Sequence, residues 1–340
     1  MKLPRISRRN ALRSLASAAA VGVMMPLRPA DAAEYTIKFG HDLPAEHPMN
    51  IRALEASRRI QERSGGRVRF AVFPSNQLGG QTDMISQVRS GATEFIAMSG
   101  VILGTFVPVA AISGVGFAFS NYGQVWNAMD GSLGQHIKKG IERTRLFAFD
   151  RVWDNGFRHT TSATKAILTP EDFRGFKIRV PPGKLWNSLF RALGASPLNI
   201  NFNETYAALQ TGIADGMENA LATLFTSHIY EVQKYCAMTS HMWDGFWMIG
   251  NRDAWTALPA PLQEIVHEEI TRAIMEERAD TALLNQNLKE QLETKGMRIN
   301  TTDISVFREA LTKAGFYSEW KASFGGESWS ILEEAVGRLT

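Results

Sequence analysis

The run from Pro261 to Lys295 contains no glycine and no internal proline. Within it Leu262, Val266, Ile270 and Ile274 recur every four residues, as do Leu284, Leu288 and Leu292. That spacing stacks apolar side chains on one face of a helix. Pro261 suits a first helical turn and Gly296 suits the end. At about 1.5 Å per residue such a helix is roughly 50 Å long, longer than one small lobe. A chain of this kind must therefore offer that helix two units to cross. The alternative is a pair of helices broken near Asp280–Thr281.

The remainder reads as two units of similar plan. Tyr35–Phe39 alternates as a strand, Pro48–Ser64 reads as a helix closed by Gly65-Gly66, and Val68–Phe73 is a second strand. Met84, Ile85 and Val88 mark a second helix ending near Gly91, before a third strand over Glu94–Met98. Strand–helix alternation of this kind argues for a parallel sheet with crossover helices. The order recurs in strand Phe176–Val180, helix Lys184–Leu193, strand Pro197–Ile200, a helix that Asn203 can cap, and a strand led by Ile213–Glu218. The 340 residues, 44% of them hydrophobic, are ample for two such lobes.

The N-terminus reads as an export signal and is set apart from the fold. Arg8-Arg9 precede an apolar run from Leu15 to Met25, and Ala30-Asp31-Ala32 is a small-x-small cleavage signal. The arginine pair points to the twin-arginine type, while Ala11, where a large apolar residue is usual, leaves ordinary secretion open. The expected mature chain starts near Ala33 in a bacterial periplasm. Residues 1–32 hold six Lys or Arg and one Asp, so 37 basic residues become 31 and 34 acidic ones become 33. The net charge moves from +3 to −2, and the basic balance carries no implication of nucleic-acid binding. Cys236, the single cysteine, excludes an intrachain disulfide and a cysteine-based zinc site. No apolar run reaches the roughly 20 residues of a membrane span.

Catalytic signatures are missing. There is no nucleophile elbow and no P-loop, and Gly114-Val115-Gly116 lacks the third glycine of a dinucleotide fingerprint. His267-Glu268-Glu269-Ile270-Thr271 begins like a zinc-protease motif but has Thr in place of the second histidine. Asp215 and Glu218 can be written as an acid/base pair, a spacing common by chance. No cofactor and no metal is expected.

Binding signals are stronger. In Phe176-Lys177-Ile178-Arg179-Val180 the charged residues take the face opposite the apolar ones, and Pro181-Pro182 stops the strand. Arg179 is thus held rigidly at a strand end, where a guanidinium can grip a carboxylate through two parallel hydrogen bonds or merely pair with a nearby acid. Arg158 lies in an aromatic-rich strand or crossover tip, Val152–His159, and Asn219 ends the run Asp215–Asn219. The aromatic run His241–Trp247 reads either as core or, through Trp243, as the wall of a cleft.

The chain resembles the periplasmic solute-binding subunits of TRAP (tripartite ATP-independent periplasmic) transporters, the dicarboxylate-binding DctP family. The resemblance runs from Tyr35 through Trp255 and rests on motifs in fixed order. They are Lys38-Phe39-Gly40-His41, Phe73-Pro74-Ser75-Asn76-Gln77-Leu78-Gly79-Gly80 and Trp153-Asp154-Asn155-Gly156-Phe157-Arg158. Gly175–Arg179, Tyr206–Gly212, Asp215-Gly216 and Glu218-Asn219 complete the set. It implies a two-lobed α/β binding protein with crossing strands and one long helix over both lobes. The implied lobes are residues 34–156 with 246–282, and 157–245 with 283–340. It further implies an organic-acid ligand, no catalysis, delivery to the membrane permease subunits of a TRAP transporter, and a monomer. The family's carboxylate-binding arginine falls on Arg179, its second arginine on Arg158, its amide on Asn219 and a ligand-packing aromatic on Phe202. Asp42, with His41 beside it, falls on a polar contact of some members. Met98 stands where sugar-acid binders carry an acid. A thioether accepts hydroxyl hydrogen bonds poorly, so Met98 argues against a polyhydroxylated ligand; with Trp243 and Phe202 it implies a flatter or more apolar acid, an aromatic one included. A ligand-sensing module for a receptor and a secreted α/β enzyme remain the alternatives.

Overall fold

A computed structural model describes residues 33–339; the export-signal expectation falls on residues 1–32, outside them. Nine strands form the sheet system: β1 (Tyr35–Gly40), β2 (Val68–Phe73), β3 (Phe95–Ser99), β4 (Leu146–Ser162), β5 (Lys177–Val180), β6 (Ser196–Asn199), β7 (Gly216–Ala220), β8 (Tyr235–Asn251) and β9 (Arg298–Thr301). Their order is β2-β1-β3-β8-β4-β7-β5-β6, with β9 on the side of β8. β2, β1 and β3 pair in parallel at one end, and β7, β5 and β6 at the other. The two parallel groups are the halves expected from the repeated strand–helix order.

What joins them is a pair of strands of 17 residues each, β4 and β8, which run antiparallel along most of their length. At about 3.3 Å per residue each reaches on the order of 50 Å, enough to serve both halves. The far end of β8 pairs with β3, Ser99 opposite Phe246, and the far end of β4 pairs with β7, Arg158 opposite Ala220. The ladder slips three times, between Ala148 and Val152, Asp154 and Gly156, and Arg158 and Thr160. Bulges bend a strand and re-aim its side chains. Gly156 sits at the middle slip with φ 111°, a conformation L side chains rarely adopt, and a Cβ there would meet the Ala220 methyl at 3.3 Å.

The long helix is one piece, Ala260–Thr294, 35 residues without a break at Asp280–Thr281. Val266, Ile270 and Ile274 pack with Phe39, Ala53 and Phe70 of the first half, whereas Leu288 and Leu292 pack with Met217 and Cys236 of the second. The two apolar runs read in the sequence are therefore one stripe laid over two cores. Against the helix Pro48–Arg63 it adds a row of ion pairs, Arg52–Asp280 and Arg59–Glu269 at 2.6 Å among them.

One local expectation needs correcting. The helix of the second half is Phe202–Gln210, preceded by Asn201 as its first boundary residue. Asn203 lies inside the first turn and does not cap it. The Pro197–Ile200 strand ends at Asn199, so the chain turns into the helix two residues earlier than its asparagine pattern implies.

Candidate functional site

Where the C-terminal ends of the parallel strands meet the crossing strands there is a small buried cavity. Ligands of open α/β sheets bind at such ends. Asp42, Gln81 and Ser99 line it from the first half, Arg179, Phe202 and Asn219 from the second, and Asn155, Arg158 and Asp244 from β4 and β8. Its volume is about 10 Å³, room for roughly one water molecule. Anything larger requires the two halves to part.

Arg179 is wholly buried. Pro181 ends its strand and also lines the cavity. Its Nε and Nη2 both donate to the carbonyl of Ile200, at 2.9 and 2.6 Å, so two of its three nitrogens fix the guanidinium plane. Nη1 has no partner among the described residues. The Phe202 ring lies 5.7 Å from the guanidinium carbon. Burial disfavours the cation and brings the group down to about 9, more than the Glu218 carboxylate offsets. A buried cation held this way gains from any anion that reaches it.

Arg158 is placed differently. Its Nε and Nη2 take both oxygens of Glu218, at 2.5 and 2.7 Å, Nη2 also reaches the Glu218 carbonyl at 3.0 Å, and Nη1 donates to Asp244 Oδ2 at 2.7 Å. Burial works against the Glu218 carboxylate, but the Arg158 charge and hydrogen bonds outweigh it and hold it at about 2. Burial raises Asp244, with Arg158 opposing. Its other oxygen accepts from Ser99 Oγ at 2.6 Å, and the Asn155 amide bridges Asp244 Oδ2 and Asn219 Oδ1 at 3.1 and 3.2 Å. Asn219 Oδ1 is thereby committed, which leaves its Nδ2 as the group it can offer a ligand. The Arg158 network ties β4, β7 and β8 together and orients Asn219 beside the cavity.

The first half contributes acceptors. The Gln81 amide nitrogen donates to Asp42 Oδ2. Asp42 Oδ1 and Gln81 Oε1 have no partner among the described residues, and each residue is 3% exposed. Burial pushes the Asp42 carboxyl from 3.8 up to about 6, with the Gln81 bond opposing. A carboxyl raised on folding stabilises the fold below its unfolded value, near 4, and loses that contribution as pH rises through about 6. Asp42→Asn removes the charge but keeps the shape. The ligand-free variant should therefore melt above the parent at pH 8, with the difference closing towards pH 4. A difference that stays constant across this range in thermal melts contradicts the buried charge.

The family model for bacterial extracellular solute-binding protein family 7, DctP, matches residues 39–319. The chain belongs to this family. An uncharacterised protein of Sinorhizobium fredii is 34% identical over 244 residues, which make up 72% of this chain and 45% of that protein. Among solved structures, a TRAP periplasmic solute-binding protein from Sulfurospirillum deleyianum with bound succinate superposes with a TM-score of 0.84 at 27% identity, over 89% of this chain and 99% of that one. A second, from Roseobacter denitrificans with bound L-galactonate, gives 0.83 at 27% identity, over 90% and 99%. The DctP chain is accordingly a two-lobed solute-binding protein, and β4 and β8 are its crossing strands.

Of the residues expected from sequence, Arg179, Arg158, Asn219, Phe202 and Asp42 come together on the cavity of this DctP chain. Three do not. Trp243 is 1% exposed and stacks edge-on to Phe119 and Trp126, with its Nε1 donating to Asp154 at 2.9 Å; it is core. Met98 is fully buried in the main apolar cluster, opposite Trp247 across the β3–β8 ladder. His41 bonds Asn50 at 3.2 Å, does not line the cavity, and is held low, at about 4, by burial. The expectation of a flatter, more apolar acid drew on Met98, Trp243 and Phe202, and of these three Phe202 alone lines the cavity. Glu218, read as a catalytic acid candidate, is locked in the Arg158 pair. Asp215, its supposed partner, accepts from the Lys177 backbone instead. Gln81, Ser99, Asn155 and Asp244 were missed. Asn155 and Asp244 lay inside runs already singled out, but a lone amide or acid has no spacing that marks it. No group of His, Cys, Asp or Glu among the described residues is arranged to hold a metal ion, and no described helix is long and apolar enough to cross a membrane.

Proposed function

We propose that the protein works in the periplasm as a monomer, where it closes on an organic acid through Arg179 and delivers it to the membrane components of a TRAP-type transporter. Members of this family are solute-binding proteins. The observation that carries the site assignment is the unpartnered Nη1 of a fully buried Arg179, a residue that lines a cavity walled by both lobes. A carboxylate drawn into a closed cleft loses its water and must meet a fixed charge and donors. Arg179 supplies the charge and Asn219 an amide donor. Phe202 packs against the ligand body. Lobe boundaries at 34–156 with 246–282, and 157–245 with 283–340, put the hinge in β4 and β8. Closure is then bending at their bulges, stabilised by a ligand that touches both sides.

The test is a thermal-shift screen of the mature chain against dicarboxylates, hydroxy acids, sugar acids and aromatic acids. At least one class should raise the melting temperature in proportion to the logarithm of its concentration. A complete absence of stabilisation by carboxylates, or chemical turnover of the stabilising acid, overturns the reading.

A further inference from the structure

The cavity leaves a specific set of polar atoms without partners, and their signs are not symmetric. On the second-lobe side the orphans are donors, Arg179 Nη1 and the indole Nε1 of Trp186. On the first-lobe side the orphans are two acceptors, Asp42 Oδ1 and Gln81 Oε1. All four residues line the same cavity and all are at least nine-tenths buried. The other charged groups there are already matched. Arg158 is spent on Glu218 and Asp244, and Asp244 has both oxygens occupied by Ser99, Asn155 and Arg158. Buried polar atoms left without partners cost free energy, so the ligand that suits this cavity answers each orphan with its opposite. Arg179 asks for an acceptor that carries negative charge. Asp42 and Gln81 ask for donors.

We infer that the ligand is a monocarboxylate whose other end carries a hydrogen-bond donor, a hydroxyl or an ammonium, held by Asp42 and Gln81, and that a second carboxylate at that end is rejected. The inference rests on the organic-acid reading of the same cavity and narrows it. An ionised carboxylate has no donor. Set against Asp42 it meets an acceptor and a like charge, and the one free cation near Asp42 among the described residues, Arg179, is taken by the first carboxylate; like charges brought together in a buried site are costly. The Gln81 bond also fixes the direction of the acceptor. Because the Gln81 nitrogen already donates to Oδ2, the remaining Asp42 oxygen is the one turned to the ligand.

The experiment is calorimetry on the mature chain with matched acids of three to six carbons that differ only at the far end: methyl, hydroxyl, ammonium or carboxylate. For at least one chain length the hydroxyl or the ammonium member should bind at least about tenfold more tightly than both the methyl and the carboxylate members. Which of the two wins identifies the donor. In Asp42→Asn the Gln81 donor draws the amide oxygen towards itself and turns the amide nitrogen to the ligand, so the preference should shift by about tenfold towards the dicarboxylate. Dicarboxylates binding as tightly as the donor-bearing acids in the parent protein, or an unchanged ranking in Asp42→Asn, overturns the inference and leaves the Arg179 reading standing. If every member of the series fails and the wider thermal-shift screen also finds no stabilising carboxylate, the fault lies in the organic-acid reading itself and this inference falls with it; if the screen finds a stabilising acid whose binding Arg179→Ala weakens, the inference alone is overturned.

Discussion

Arg179→Ala should lower the affinity for the bound acid by about 10²–10⁴-fold in calorimetry, while the ligand-free protein keeps its melting temperature to within a few degrees. The first number follows from the cost of stripping one partner from a buried ion pair, about 3–5 kcal/mol, at about 1.4 kcal/mol per tenfold. The second follows from what Arg179 does without ligand. Among the described residues its guanidinium bonds the Ile200 carbonyl alone, and burial already disfavours its charge enough to bring it to about 9. Losing a cation in that condition removes a cost together with two bonds to one carbonyl, so stability changes little. Arg179→Lys should also bind poorly, because an ammonium lacks the planar fork that Ile200 orients on one side and the ligand meets on the other. Unchanged affinity in Arg179→Ala, or a large drop in ligand-free stability, shows the arginine to be structural.

The same physics explains which parts of the molecule could be read from the chain. The long helix was legible because its apolar stripe continues across Asp280–Thr281 with nothing to break it, and because a stripe that long has to be covered along its length. The parallel strands were legible as short apolar runs that follow helices ended by Gly91, Gly194 and Gly212. β4 and β8 were not, and their composition says why. Asp154, Asn155, Arg158 and His159 are all buried in β4, so its inward and outward positions do not alternate by polarity. Their cost is met by partners on β7, β8 and the long helix, such as Glu218, Asp244 and the Glu277 carboxylate that accepts from the Asp154 backbone. Such strands are specified by distant partners, which local periodicity does not register. Arg179 was legible because a proline pair pins the end of its strand. Trp243 was misplaced because an aromatic run looks alike in a core and in a pocket; only the Asp154 bond to its indole nitrogen separates them.

Arg158→Met should behave in the opposite way to Arg179→Ala. It should cost the ligand-free protein about 3–5 kcal/mol, a fall in melting temperature on the order of 10 °C for a chain of this size. Arg158 is the cation that two buried carboxylates share. With a thioether in its place Asp244 loses its counter-charge and Glu218 keeps only the His241 ring nitrogen at 3.1 Å and the field of Arg179, so burial then drives both carboxyls towards the protonated form. The pH dependence supplies the sharper criterion. In the parent Glu218 is depressed from 4.5 to about 2, so its contribution is present above about pH 4.5 and is lost as pH falls through about 2. In the variant the Glu218 carboxyl is raised by burial instead, so stability declines as pH rises. The gap between the two proteins should therefore be small near pH 3 and widen steadily towards pH 7. Affinity should fall as well, because Asn155 and Asn219 are oriented through Asp244, but it should fall in step with stability. A variant that loses affinity while melting like the parent at pH 7 places Arg158 on the ligand and not beneath it.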